Sequence, residues 1–154
     1  MQQLKILNTR EIKKIRVELV SSFGSFLEED YAYLKNEKGR VFIVNKEISR
    51  IDLDKLRMDR AGVYFLEITR SGDMRVSMEG AWMIGKKAKK NVVVLNDKET
   101  KQYFMGEELD KDLGEEKKWV LLKVKKDVIG CAKYKEGRIL NFMPKIHRSK
   151  DIMF

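Results

Sequence analysis

Apolar residues at helical spacing open the chain. Ile12, Ile15, Leu19, Val20 and Phe23 recur every three to four positions, with Arg10, Lys13, Lys14 and Glu18 between them. An amphipathic helix is therefore predicted over residues 8–23. Asn8 with Glu11 three residues later fits a capping box, and Gly24 fits a C-terminal stop. The pattern then turns β-rich. Tyr31–Lys35 and Arg40–Val44 flank the short loop Asn36–Gly39, which reads as a hairpin. A weak helix or turn is expected over Asn45–Leu56. A second hairpin is expected from Gly62–Thr69 through Arg70–Asp73 into Met74–Met78. Glu79–Gly85 (EGAWMIG) is short and apolar and reads as a buried connection.

Beyond it the character changes. Asn91–Leu95 is a continuous β-branched run, suited to a buried strand. Asn96 or Asp97 can cap a short helix reaching Phe104. Gly106 and Gly114 punctuate the following loop, and Gly106 reads as a helix C-terminal residue of positive φ. Three strands are expected at Trp119–Val124, Val128–Tyr134 and Arg138–Phe142, broken at 125–127 and 135–137. Close-set short strands with one helix suggest a small mixed barrel. The fold class is α+β: residues 1–85 as an antiparallel sheet with helices, residues 86–154 as a pseudo-barrel. No polar linker separates the halves, so they are expected to pack together.

Charge changes the picture. The 154 residues carry a net +9. Residues 1–85 hold 15 Lys and Arg against 13 acids; residues 86–154 hold 18 against 11. Within the second half, 86–96 carries +4, 97–116 carries −5 and 117–154 carries +8. Sorted charge of this kind creates a field that attracts a polyanion. The alternative is a highly charged solvated surface of the kind common in thermophiles.

Several chemistries are disfavoured. Cys131 and His147 are single representatives of their types, which excludes Cys-rich zinc sites, two-His metal sites and an internal disulfide framework. Neither G-x-x-x-x-G-K-[ST] nor G-x-G-x-x-G occurs. The paired acids at 28–30, 107–108 and 115–116 lie in polar stretches, without the burial that tunes a general acid or base. No enzymatic activity and no cofactor are expected. No apolar run approaches a membrane span and no signal peptide is seen, so a cytoplasmic location without membrane partners is expected.

The stretch from Gly85 to Leu140 resembles the PUA domain, a small pseudo-barrel of RNA-handling proteins. The matching features are the VVV strand, a short helix, Phe104-Met105-Gly106 with Leu109 before Gly114, a hydrophobic strand, and Ile129-Gly130 with Ala132-Lys133-Tyr134. Upstream, the passage Arg40–Ile51 and the hairpin Gly62–Ser77 are similar to the pre-PUA domain of the Nip-seven family of ribosome biogenesis factors. The tail departs from the eukaryotic members of that family. Arg138–Pro144 looks more like the end of the PUA-like domain in some RNA cytosine-5 methyltransferases, and a short archaeal-type relative fits. The resemblance implies an accessory factor for large-subunit rRNA processing that binds RNA and pre-ribosomal proteins, is ribosome-associated in the cytoplasm or nucleolar in a eukaryote, and catalyses nothing.

RNA affinity comes largely from Lys and Arg at phosphates, with bases read by stacking and edge contacts. The candidate RNA-binding residues are Lys133, Lys135, Arg138, Lys145, Arg148 and Lys150, with Lys86, Lys87, Lys89 and Lys90 as a second cluster. In a strand, Lys133 points opposite Ala132 and Tyr134, so Tyr134 and Phe142 read first as core residues. Two other classes stay open. One is a protein-interaction adaptor, with 97–116 serving a basic partner. The other is an RNA-binding subunit acting in trans for an RNA-modifying enzyme such as a methyltransferase. A monomer is expected.

Overall fold

The computed structural model describes residues 4–46 and 62–141. After a short strand, β1 (Lys5–Ile6), helix α1 spans Thr9–Phe23. Its capping box forms as expected: Asn8 Oδ1 accepts from the Glu11 amide at 2.9 Å, and Glu11 Oε1 accepts from the Asn8 amide at 3.2 Å. Gly24, at φ +75°, donates back to the Val20 carbonyl and closes the helix. Ile15, Leu19 and Phe23 are buried, whereas Val20 is exposed, contrary to its place on the expected apolar face. A helix covered on one side buries a single stripe, and Val20 sits about 100° around the axis from Leu19.

The first sheet is a five-stranded antiparallel meander ordered β1-β2-β3-β4-β5, with β2 at Tyr31–Lys35, β3 at Arg40–Asn45, β4 at Val63–Ile68 and β5 at Met74–Val76. The β2–β3 turn is held by Asn36, whose side-chain oxygen accepts from the amides of Lys38 and Arg40, both at 3.0 Å. Gly39 is required there: a Cβ would lie 2.3 Å from the Ile68 carbonyl oxygen. The weak helix expected after Asn45 falls largely outside the described residues.

Residues expected as a buried connection form a helix instead, α2 (Met78–Gly85). Ser77 caps it, accepting from the Gly80 amide at 2.9 Å and donating to the Tyr64 carbonyl at 2.6 Å. This cap ends β5 two residues earlier than the pattern suggests. Gly80, Ala81 and Ile84 are buried; Trp82 is half exposed.

The second sheet is a curled half-barrel ordered β6-β8-β9-β10-β7. Its strands are β6 (Val92–Val94), β7 (Leu109–Asp110), β8 (Lys118–Val124), β9 (Asp127–Lys135) and β10 (Arg138–Ile139). β6 pairs with β8 in parallel, Val92 opposite Leu121, and the other pairs are antiparallel. Helix α3 (Asp97–Phe104) fills the crossover, with a second capping box between Asn96 and Glu99. Gly106, at φ +89°, follows its end and donates to the Tyr103 carbonyl, in keeping with its structural reading. Glu136 and Gly137, both at positive φ, make the tight turn between β9 and β10. Among the described residues the run expected as a buried strand has β8 as its one sheet neighbour, and Val94 is exposed.

Two clusters make the main core. Val120, Leu122, Ala132, Tyr134 and Ile139 fill the half-barrel with Tyr103 from α3. Leu121, Val128 and Cys131 belong to the other cluster, together with Ile15, Leu19 and Phe23 of α1, Phe65 and Leu66 of β4, and Ile84 of α2. Strand β8 is thus buried on both faces, which is why Val120-Leu121-Leu122 is continuously apolar. The halves pack together as expected. Gly85 packs close against β9: a Cβ there would lie 2.4 Å from Val128 Cγ2.

Candidate nucleic-acid interface

The basic run after α2 is built into the fold through its backbone. The amides of Lys89 and Lys90 donate to the Phe23 carbonyl at 2.8 and 3.1 Å, and the Asn91 side chain donates to the Ser22 carbonyl at 2.7 Å. Lys90 Nζ reaches the Ser21 carbonyl at 3.4 Å. The run therefore closes the C-terminal end of α1, where the helix dipole favours cations. Lys86, Lys87, Lys89 and Lys90 are all exposed. Lys87 pairs with Glu28, and the Lys86 ammonium lies 3.9 Å from the centre of the Trp82 ring.

The half-barrel carries the other group. Lys133 is on β9 and reaches across to Asp73, in the β4–β5 turn, at 3.2 Å; it also lies over Trp119 at 5.5 Å. Arg138, on β10, sits between Glu108 at 3.7 Å and Asp110 at 3.4 Å. Lys135 is exposed at the end of β9. Lys133, Lys135 and Arg138 are thus gathered at one end of the β9–β10 hairpin. Lys145, Arg148 and Lys150, with Phe142 and His147, lie outside the described residues. At the opposite end of β9, exposed Lys125 and Lys126 form the β8–β9 turn. Sequence reasoning counted them as charge but did not select them; the signal was the KVKKD string at a hairpin turn.

Most aromatic groups are structural. Tyr134 is fully buried; its hydroxyl donates to the Gly114 carbonyl at 2.7 Å and accepts from the Leu113 amide at 2.9 Å. It is a core residue, fastening the 109–114 loop to β9. Burial pushes the Tyr103 hydroxyl up to about 12, with a small push in the same direction from Cys131. Asn141 donates to the carbonyls of Tyr103 and Glu107 at 2.7 and 2.9 Å, tying the segment just after β10 to the end of α3. Trp82 is the exception, a large aromatic group left about half exposed beside lysines.

Burial also pushes the Cys131 thiol up to about 12, which favours the neutral thiol at ordinary pH. For Glu99, burial alone would raise the carboxyl; the Asn96 amide and the Lys111 ammonium outweigh it and hold it below its ordinary value. Among the described residues no group of His, Cys, Asp and Glu is arranged to hold a metal ion. Among them, too, no helix is long and apolar enough to cross a membrane.

Residues 90–149 match the family model described as the PUA domain of the methyltransferase RsmF. A PUA-like domain, a module that typically binds RNA, is therefore present in the second half of the chain, where the curled sheet lies. The match names a methyltransferase's domain and not the Nip-seven family. No curated protein matches the chain.

Proposed function

We propose that this chain is a non-catalytic RNA-binding factor in the maturation of large-subunit ribosomal RNA, with residues 86–154 supplying the RNA surface and residues 1–85 buttressing it. The observation that carries the reading is the PUA-like domain at 90–149, overlapping the segments that hold +4 and +8 of the charge. Lys133, Lys135 and Arg138 stand together at one end of its longest strand, and Lys86–Lys90 stand at the junction with the first sheet. The large-subunit assignment rests on the likeness of residues 40–77 to the pre-PUA domain of the Nip-seven family. The protein acts as a cytoplasmic monomer on this reading.

The test is a gel-shift series with the full chain, large-subunit rRNA fragments and a single-stranded RNA over increasing salt. Each phosphate contacted on a single strand contributes about 0.7 to the slope of log affinity against log salt. Binding with a slope of several units supports the reading, and no binding at low salt overturns it. A second reading is favoured by the description of the matching family model: an RNA-binding subunit serving a separate RNA methyltransferase. It predicts weak binding alone and methyl transfer only after mixing with the catalytic chain.

A further inference from the structure

Between α2 and the start of β9 lies an open groove of about 640 Å³, within the size range of about 300–1,000 Å³ usual for ligand sites. Among the described residues its walls are apolar, from Val63, Met78, Trp82 and Ile129, and its polar groups are two carboxylates, Glu79 and Asp127. Trp82 is 49% exposed. Exposed lysines flank it beside these exposed carboxylates: Lys86 lies over the Trp82 ring, and the Lys125–Lys126 turn runs into Asp127. The contact of Gly85 with Val128 brings the chain that continues into Lys86 and Lys87 against the chain that arrives from Lys125 and Lys126.

We infer that this groove is a nucleobase subsite: a single-stranded RNA base carrying an exocyclic amino group stacks on Trp82, its amino group donates to Glu79 or Asp127, and the flanking phosphates lie on Lys86 and the Lys125–Lys126 turn. This rests on the RNA-binding reading and adds a second contact region to it. Stacking needs an exposed aromatic face beside cations, because bases stack without regard to sequence while phosphates need neutralising. Trp82 meets that need: its exposed ring has the Lys86 ammonium 3.9 Å away. The flexible lysine stem lets that ammonium leave the ring for a phosphate when a base takes its place. The carboxylates give the subsite its preference. They accept hydrogen bonds and donate none, so they favour the two-hydrogen amino groups of cytosine and adenine over uracil, whose one N3–H donor sits between two carbonyl oxygens that a carboxylate repels. Their negative charge keeps phosphates on the flanking lysines and out of the groove. Charge complementarity selects the occupant: RNA presents flat base faces and amino groups to the groove and anions to the lysines beside it.

The experiment uses the full chain and three octamers, oligo-C, oligo-A and oligo-U, with affinity read by anisotropy of labelled RNA. Oligo-C and oligo-A are expected to bind several-fold more tightly than oligo-U. W82A is expected to lose about 5- to 150-fold in oligo-C affinity with an unchanged salt slope, the range set by one base–aromatic stack. W82F should keep most of the binding. K125A/K126A should flatten the slope by about 1.4 units, two phosphate contacts on a single strand. E79Q should narrow the gap between oligo-C and oligo-U. In a W119F background, where Trp82 is the remaining tryptophan, oligo-C should quench the emission. A folded W82A that binds oligo-C like its parent overturns the subsite and leaves the RNA-binding reading standing. Quenching by an acidic peptide but by none of the RNAs gives the groove to a protein and also overturns it. A parent that binds no RNA at all overturns both.

Discussion

Asp73, in the turn between β4 and β5, holds the ammonium of Lys133 on β9 at 3.2 Å. The lysine nearest the PUA-like signature is thus engaged by the other half of the chain. Any phosphate it meets competes with that carboxylate. D73A is expected to release it: RNA affinity at low salt should rise and the salt slope steepen by about 0.7 units, one added phosphate contact on a single strand. Stability should fall by about 0–1 kcal/mol, because the pair is partly exposed. Salt titration and thermal melting of parent and variant check both.

The basic sequence from Lys133 onward gives a second expectation. Replacing Lys133, Arg138, Lys145 and Arg148 together by alanine should flatten the salt slope by roughly 2 to 3 units for single-stranded RNA. The loss should be similar across sequences, since phosphate contacts position RNA without reading it. A folded quadruple variant with an unchanged slope would move the phosphate surface to Lys86–Lys90 and the β8–β9 turn.

Gly85 joins the two sheets by closeness, so enlarging it should be costly. A Cβ there meets Val128 Cγ2 at 2.4 Å and Val128 Cβ at 2.6 Å, and valine is stiff at χ1. G85A is expected to destabilise by about 1–3 kcal/mol through overpacking. V128A should relieve part of that cost, so the double variant should be less destabilised than the sum of the singles. Denaturant titration of all four proteins closes the cycle.

Glu99 predicts a pH dependence. Burial disfavours its charge, but the Asn96 amide and Lys111 favour it more, so folding lowers its proton affinity. Its stabilisation is full above the ordinary value of 4.5 and is lost as pH falls through the lower folded value. E99Q should therefore be less stable than the parent at pH 7, by about 1 kcal/mol for a capping and ion-pair contact of this kind, and the difference should close towards pH 3.

Cys131 offers a probe of opening. With its thiol buried and pushed up to about 12, it should not react with a disulfide reagent at pH 8 while the protein is folded, and should react fully in denaturant.

What the sequence made legible was local. The capping box at Asn8/Glu11 and the cap at Asn96 formed because each needs only residues three apart; the reciprocal Glu99 contact at the second cap is an addition the structure makes. The two hairpins of the first sheet and strands β6, β8, β9 and β10 followed from turn residues and apolar runs, whereas β7 lies in a stretch that reads as a loop, and its place beside β10 is set by pairing across the sheet. Helix α2 was hidden because its eight residues include two glycines and carry little periodic contrast. Val20 and Val94 were assigned inward because hydrophobicity does not say which face a single packed layer covers. The candidate site was least legible. Lys133 and Asp73 are 60 residues apart, and the groove at Trp82 is lined by residues as distant in sequence as Val63 and Ile129.

The shared cluster under β8 and β9 also bears on how this chain is made. Ile15, Leu19, Phe23, Phe65 and Ile84 are buried against Leu121, Val128 and Cys131. A ribosome adds about 5–20 residues per second, so seconds pass between the emergence of α2 and that of β9. Through that interval the first sheet waits with one apolar flank uncovered. The meander can pair as it emerges, but its packing is completed only when the hairpin of the second sheet arrives. A nascent chain halted near residue 90 is therefore expected to be soft to proteases, and one extended past residue 135 to be resistant.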